Sequence, residues 1–270
     1  MTTKQDHQEC TELMPREDWD RLCSEIADAM KSHTRAFLAP LSTETPAEVR
    51  HIGTASFLCW NGHRVLLTCE HVSSPNSPIH FSLNGSEVVF PAKLPFVENK
   101  PLDAAFQLVS DSDWTAVRHQ AAAIPSDRFA AEHRPFHWGE VFFFHGFAGE
   151  NSGYALGTLE SRASAYATQL SPGAQESDRI FELIWDPNRT SYTASTSAAT
   201  RKAVQFTDAG GFSGSLVWNT RYIEVTHAEE KWTPDCAEVC GLLMRWDMST
   251  KTLLATRIEH VRAWLDEQLA

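Results

Sequence analysis

The sequence has little positive charge: 23 Lys and Arg residues stand against 35 Asp and Glu residues, and the formal net charge is −12 at pH 7. Binding to nucleic acid or anionic lipid depends on a basic patch that meets the negative phosphates. The sequence also has no apolar run approaching the roughly 20 residues that a membrane-spanning helix needs. We therefore expect neither nucleic acid nor membrane as a partner.

The first residues, MTTKQDHQECTELMPREDW, contain no basic stretch leading into an apolar run. Such a segment does not resemble a secretory signal, and we expect a cytoplasmic location. Cysteines are reduced in that compartment, so the even number of cysteines does not predict disulfides. Cys236 and Cys240 have no second Cys/His pair at zinc-ligand spacing, and we expect no metal and no organic cofactor. The six cysteines are Cys10, Cys23, Cys59, Cys69, Cys236 and Cys240.

Two terminal segments have helical periodicity in a chain of otherwise ordinary globular composition. Apolar residues between Pro15 and Phe37 recur three and four positions apart, which predicts an amphipathic helix. Pro40 and Pro46 then predict a linker, with a domain boundary near residues 42–48. The segment RIEHVRAWLDEQL predicts a second, terminal helix. Its apolar face comprises Ile258, Val261, Trp264, Leu265 and Leu269.

The region between these helices consists of short β-type runs. Asn61-Gly62 and Asn84-Gly85 separate neighbouring runs, and such pairs are typical of tight hairpin turns. No connection contains a convincing crossover helix, and no internal repeat is evident. The pattern predicts an antiparallel all-β fold. Residues 170–205, rich in small polar residues, predict an insertion with long loops.

Three short motifs carry the residues of nucleophilic catalysis. They are LLTCEHV with His71, LDAAFQLV with Asp103, and GGFSGSLVW with Ser213. Each motif alone is weak evidence. Together they place a base, a carboxylate and a nucleophile in the order His, Asp, Ser, which is the order of chymotrypsin-type enzymes rather than of subtilisin or the α/β-hydrolases.

Through these motifs the chain resembles the trypsin-like serine protease family, in particular its bacterial cytoplasmic-type branch, over about residues 49–270. The resemblance implies two antiparallel six-stranded β-barrels of chymotrypsin type with an N-terminal and a C-terminal helix. The expected division is a helical extension and linker at 1–45, a first barrel at 46–130, a second barrel at 131–255 and the helix at 256–270. His71 and Asp103 fall in the first barrel, and Ser213 falls in the second.

The residue types suggest the roles. A serine hydroxyl is a poor nucleophile at neutral pH and needs a base within hydrogen-bond reach, which predicts His71 as the base for Ser213. Asp103 would hold the imidazole in the correct tautomer. The resemblance assigns the oxyanion hole to the backbone N–H groups of Gly211 and Ser213.

The residue before the nucleophile departs from the family pattern. Phe212 stands where the secreted enzymes have an aspartate that pairs with a newly cut amino terminus. A phenyl ring cannot form that ion pair, so we predict that the chain does not mature by internal cleavage. Cys69 and Glu70 replace two small residues before His71, and neither change removes a catalytic group.

The resemblance also places a substrate pocket. Its floor falls at Thr207 with Asp208 beside it, and Met244, Arg245 and Trp246 form one wall. An acidic floor from Asp208 would favour Lys or Arg in the substrate. Alternatively, Arg245 neutralises Asp208, or Trp246 limits the depth of the pocket.

These features together predict a serine endopeptidase acting on a protein substrate through an acyl-enzyme intermediate. A protein activator or regulatory partner is expected too, because unrestrained digestion in the cytoplasm would be harmful. Family analogy suggests a bacterial stress or defence role. Two alternatives stay open: a catalytically silent protein-binding module, and an esterase that uses the same residues.

Overall fold

Two sheets with a helix at each end of the chain make up the fold. The computed structural model describes residues 16–44, 49–74, 77–137, 139–155, 158–172, 177–205 and 207–270. The predicted antiparallel all-β fold with two terminal helices is confirmed. Cys10 of the predicted reduced cysteines lies outside the described residues, and the other five are free thiols.

The first sheet contains eight strands in the part of the chain that is described. They are β1 (Leu38–Glu44), β2 (Val49–Trp60), β3 (His63–Thr68), β4 (Ile79–Ser82), β5 (Val89–Pro91), β6 (Val97–Asn99), β7 (Ala104–Leu108) and β8 (Ile124–Pro125). Their order is β5-β4-β1-β2-β3-β7-β6, with β8 pairing parallel to β2. Asn61 and Gly62 form the predicted β2–β3 turn with φ values of 46° and 81°.

The second sheet contains six strands among the described residues. They are β9 (Phe142–Ala155), β10 (Thr158–Thr168), β11 (Ile180–Ile184), β12 (Leu216–Asn219), β13 (Glu238–Asp247) and β14 (Thr252–Arg257). Their order is β10-β9-β12-β13-β14-β11. Six strands were expected in each half. The first sheet has eight, and three of these, β5, β6 and β8, are only two or three residues long. Runs that short carry no recognisable alternation in the sequence.

Six α-helices lie around the sheets in the described ranges. They are α1 (Arg16–Thr34), α2 (Glu70–Ser73), α3 (Asp111–Thr115), α4 (Ala198–Ala203), α5 (Tyr222–His227) and α6 (Ile258–Gln268). All five residues of the predicted α6 face are buried. Among the described helices none is both long enough and apolar enough to span a bilayer.

The linker predicted around Pro40 is wrong for residues 38–44, which form β1 between β2 and β4. On β1, the described pairing with β4 involves Leu41, Ser42 and Thr43. Pro40 lies just outside this pairing, so its missing N–H does not remove a hydrogen bond to β4. Residues 45–48 of the predicted boundary lie outside the described residues.

A buried hydrogen bond ties α1 to the second sheet. The Thr34 hydroxyl donates to the Met30 carbonyl at 2.8 Å, so its oxygen accepts from Nδ1–H of His145 at 2.9 Å. Burial, together with the nearby charges of Lys31 and Arg35, lowers the pKa of His145 to about 3. The imidazole is therefore neutral at pH 7. Its Nδ1–H tautomer joins β9 to α1 through the hydrogen bond to Thr34.

Candidate active site

The imidazole of His71 is held by the carboxylate of Asp103. His71 lies in α2, directly after β3, and its Nδ1 is 2.9 Å from both Oδ1 and Oδ2 of Asp103. The backbone N–H of His71 also donates to Oδ1 at 3.1 Å. This geometry places the ring proton on Nδ1 and leaves Nε2 as the acceptor that a general base needs.

The backbone around Asp103 explains its orientation. A 3₁₀ turn at Lys100–Leu102 is capped by the Asn99 side chain, which accepts from the N–H of Leu102 at 3.2 Å. Asp103 ends this turn with a left-handed φ of 48°, a conformation that aspartate tolerates better than most residues. The turn thus buries the Asp103 carboxylate beneath His71.

The hydroxyl of Ser213 rests on a backbone carbonyl. Ser213 Oγ donates to the carbonyl of Met244 at 2.7 Å, and within the described ranges it has no hydrogen bond to His71. The carbonyl of Ser213 accepts from the N–H of Thr54 on β2 at 2.9 Å. Base catalysis by His71 therefore requires Ser213 Oγ to leave Met244 and turn towards the imidazole.

One carbonyl connects the neighbourhoods of His71 and Ser213. The carbonyl of Leu243 accepts from the N–H of Gly214 at 2.9 Å and from the thiol of Cys69 at 3.1 Å. Burial raises the pKa of the Cys69 thiol well above its usual range, with the charge of Asp103 as a second cause. Cys69 is thus a neutral donor, and residues flanking His71 and Ser213 meet at one point between the sheets.

The turn that leads into Ser213 presents two backbone N–H groups without a protein acceptor among the described residues. Gly211 has a φ of 95°, and a Cβ there would lie 2.6 Å from the nitrogen of Gly149. In the described part of the chain, neither the N–H of Gly211 nor that of Ser213 donates to a protein acceptor. The Gly211 carbonyl is held by the hydroxyl of Thr54 at 2.9 Å. Such free, oriented N–H groups suit a developing oxyanion.

Phe212 is anchored by an aromatic cluster rather than by an ion pair. Its side chain is 0% exposed. The ring centroid lies 5.3 Å from those of Phe144 and Tyr166 and 6.1 Å from that of Trp185. Edge-to-face pairs of this kind stabilise the cluster beyond the contribution of the buried apolar surface. The turn that holds Gly211 and Ser213 is therefore fixed from below by hydrophobic packing.

The same turn is held laterally by β9. The Asn151 amide accepts from the N–H of Gln205 at 2.9 Å and donates to its carbonyl at 3.3 Å. Further along, the N–H of Gly149 donates to the carbonyl of Gly210 at 2.7 Å. The motifs gave no signal for Asn151, because Gln205 lies 54 positions away in the sequence. Asn151 is positioned to fix the segment that leads to Gly211 and Ser213.

A histidine that the sequence motifs did not indicate lies behind Gly211. His51 Nε2 is 3.0 Å from the carbonyl of Phe147, and a Cβ on Gly211 would lie 3.0 Å from the His51 ring. Burial lowers the pKa of His51 below its usual value. His51 therefore serves as a neutral donor that supports the strand flanking the turn.

The residues predicted to line the substrate pocket lie in two groups. Exposed Thr207 donates to Glu150 at 2.6 Å, and exposed Asp208 accepts from the N–H of Gly210 at 2.7 Å. Met244 contributes the carbonyl that binds Ser213, Arg245 is exposed, and Trp246 is partly buried. The described residues contain no ion pair between Asp208 and Arg245. The roles of these residues in substrate binding stay predictions.

Replacing Asn151 with alanine should lower kcat with little change in KM. Loss of both bonds to Gln205 loosens the segment that leads to Gly211, and a misplacement of about 1 Å can cost up to roughly 100-fold in rate. We expect a decrease of at least about tenfold, measured with a peptide substrate. Asn188, an exposed residue bonded only to Asp186 in the described structure, supplies the matched control Asn188→Ala. An unchanged kcat in Asn151→Ala would exclude the positioning role.

Comparisons with known proteins concern the fold. No protein-family model matches the chain, and no curated protein matches it either. A solved structure of the Rv3671c protease from M. tuberculosis in its active form is similar, with a TM-score of 0.50, 14% identity, and coverage of 89% of this chain and 85% of that chain. Tobacco etch virus protease bound to product has a TM-score of 0.47 and 10% identity, covering 87% of this chain and 80% of that chain. The two-sheet architecture of this chain is thus the chymotrypsin-like fold.

Proposed function

We propose that this protein is a serine endopeptidase that hydrolyses peptide bonds of a protein substrate. The observation that carries the proposal is the Asp103–His71 pair, with both carboxylate oxygens 2.9 Å from Nδ1. Ser213 belongs to the same region, because its neighbour Gly214 and His71's segment, through Cys69, share the Leu243 carbonyl. The free N–H groups of Gly211 and Ser213 support it further. Serine, imidazole and carboxylate supply a nucleophile, a base and an orienting group.

The proposed reaction begins when Ser213 Oγ leaves the Met244 carbonyl and attacks the peptide carbonyl. His71 Nε2 takes the hydroxyl proton and then gives it to the leaving amine. The resulting acyl-enzyme is hydrolysed by water that His71 activates in the same way. Asp103 stays ionised throughout and stabilises the imidazolium. The N–H groups of Gly211 and Ser213 stabilise the oxyanion, each by about 3 kcal/mol.

The surroundings of Phe212 support an enzyme that needs no internal cleavage. Because the ring anchors the turn through apolar contacts, the intact chain has no use for a newly formed amino terminus. The proposal includes a cytoplasmic, bacterial enzyme of the trypsin-like type with a narrow protein target or a protein activator. The stress or defence role stays an expectation that rests on analogy.

A catalytically silent binding module is the second candidate. The bond from Ser213 Oγ to Met244, in place of one to His71, favours it, since a hydroxyl held on a carbonyl is not activated. The complete set of three catalytic side chains favours the peptidase. An esterase that uses the same residues is a third outcome of the test below.

Covalent labelling separates these candidates. We expect a fluorophosphonate to label the intact chain at Ser213, and Ser213→Ala to abolish the label. Ser215→Ala is the matched control because Ser215 is a fully buried neighbour, and it should still be labelled. An unlabelled chain that cleaves no peptide indicates the silent module. Labelling with ester turnover but no peptide cleavage indicates the esterase.

A further inference from the structure

Three metal-ligating atoms converge beneath the base. Cys69 Sγ, a ring nitrogen of His71 and a carboxylate oxygen of Asp103 all lie within 4.8 Å of one another, and no other such group of three occurs among the described residues. Nδ1 is the His71 nitrogen that faces the carboxylate, at 2.9 Å from both oxygens. Ligands of a tetrahedral zinc ion at about 2.0–2.3 Å are themselves about 3.3–3.8 Å apart. Small side-chain movements therefore suffice to place all three around one ion.

We propose that Zn²⁺ binds to Cys69, His71 and Asp103 and reversibly inhibits the enzyme, an inference that rests on the proposed peptidase function. A thiolate, an imidazole and a carboxylate are a donor set that zinc accepts, whereas Mg²⁺ and Ca²⁺ prefer oxygen ligands alone. Water fills the fourth position. The side chain of His71 is 47% exposed, so solvent reaches one side of the cluster.

Zinc inhibits by removing the lone pair that catalysis needs. The ion bonds to Nδ1 of His71, and the proton of Nδ1 moves through solvent to Nε2. The S–H bond of Cys69 breaks at the same time, and its proton passes to solvent, so each bound zinc releases one proton. With a proton on Nε2, His71 cannot accept the proton of Ser213.

The surrounding structure tolerates the change at Cys69. When Sγ turns to the metal, the carbonyl of Leu243 loses the thiol at 3.1 Å but keeps the N–H of Gly214 at 2.9 Å. No buried acceptor is left without a partner. The backbone bond from His71 to Asp103 Oδ1 can also persist, because the carboxylate has a second oxygen for the ion.

Cobalt tests the site without reference to activity. We expect Co²⁺ added to the full chain, and to Ser213→Ala, to produce a thiolate-to-cobalt absorption band that Zn²⁺ displaces. The Cys69→Ser variant keeps a donor for Leu243 and should lose the band, with zinc affinity reduced at least about tenfold. Cys59→Ser is the matched control, since Cys59 is exposed and outside the cluster, and it should keep the band. If Cys69→Ser does not fold, Cys69→Ala provides the same comparison.

Peptide hydrolysis provides the second readout. Zinc should inhibit the wild-type enzyme, a chelator should restore it, and Cys69→Ser should hydrolyse peptide without zinc sensitivity. A cobalt–thiolate band in a chain that hydrolyses nothing would leave the metal site standing and overturn the peptidase. Hydrolysis without the band, or a band that survives in Cys69→Ser, would overturn the metal site.

Discussion

The Asp103→Asn variant should lose about 10⁴-fold in kcat/KM for peptide hydrolysis while the fold stays intact. Oδ1 of Asp103 accepts the backbone N–H of His71 at 3.1 Å, so the amide of asparagine keeps its oxygen at that position. Its NH₂ group then replaces Oδ2, 2.9 Å from Nδ1 of His71. Oδ1 also lies 2.9 Å from Nδ1, but a proton on Nδ1 would now face the donor NH₂ group as well. The tautomer with the ring proton on Nε2 avoids this clash, because Nδ1 then accepts from the NH₂ group. Nε2 of His71 then has no lone pair with which to accept the proton of Ser213.

The measurement is a set of kcat/KM values across the pH range, together with the rate of fluorophosphonate labelling. Asp111→Asn is the control, because in the described structure the exposed Asp111 side chain bonds to Arg64 alone, at 2.8 Å. Breaking such a pair changes stability by about 1 kcal/mol or less. The control should keep wild-type activity. Full activity in Asp103→Asn would mean that the carboxylate does not set the tautomer of His71.

Local signals in the sequence predict much of the fold. The Asn61-Gly62 turn is specified by two residues that accept positive φ, and the buried face of α6 is specified by helical periodicity. By contrast, β1 contains Pro40 and gains its place from pairing with β2 and β4. Long-range pairing overrides the local preference there. The short strands β5 and β6 also depend on neighbours that no local pattern reveals.

For the candidate site, the sequence predicts which residues to consider but not the contacts between them. Three motifs are enough to nominate His71, Asp103 and Ser213 as candidates, because the residue types and their order are those of nucleophilic catalysis. No motif reveals that Ser213 Oγ rests on Met244, since that bond depends on the path of β13. Nor does the sequence show that Cys69 shares a site with Asp103. Contacts between distant segments decide these features.

Placing aspartate at position 212, where secreted trypsin-like enzymes have it, should unfold this protein. Phe212 is 0% exposed within the cluster of Phe144, Tyr166 and Trp185. Removal of a buried phenyl ring costs about 3–5 kcal/mol, and burial of an unpaired carboxylate adds several more. The sum matches the whole stability of a typical domain, about 5–15 kcal/mol. We expect no cooperative denaturant transition in Phe212→Asp.

Two variants distinguish the loss of the anchor from a general effect of the substitution. Phe212→Leu keeps an apolar side chain and should cost about 1.5 kcal/mol or less, visible as a small decrease in the transition midpoint. Phe136 is 54% exposed, so Phe136→Asp should change stability by only about 0.5 kcal/mol. If Phe212→Asp instead folds normally and becomes active only after amino-terminal cleavage, its carboxylate has found a cationic partner. The turn that carries Ser213 would then be held by charge, as in the secreted enzymes, and hydrophobic anchoring would not be what keeps the intact chain ready for catalysis.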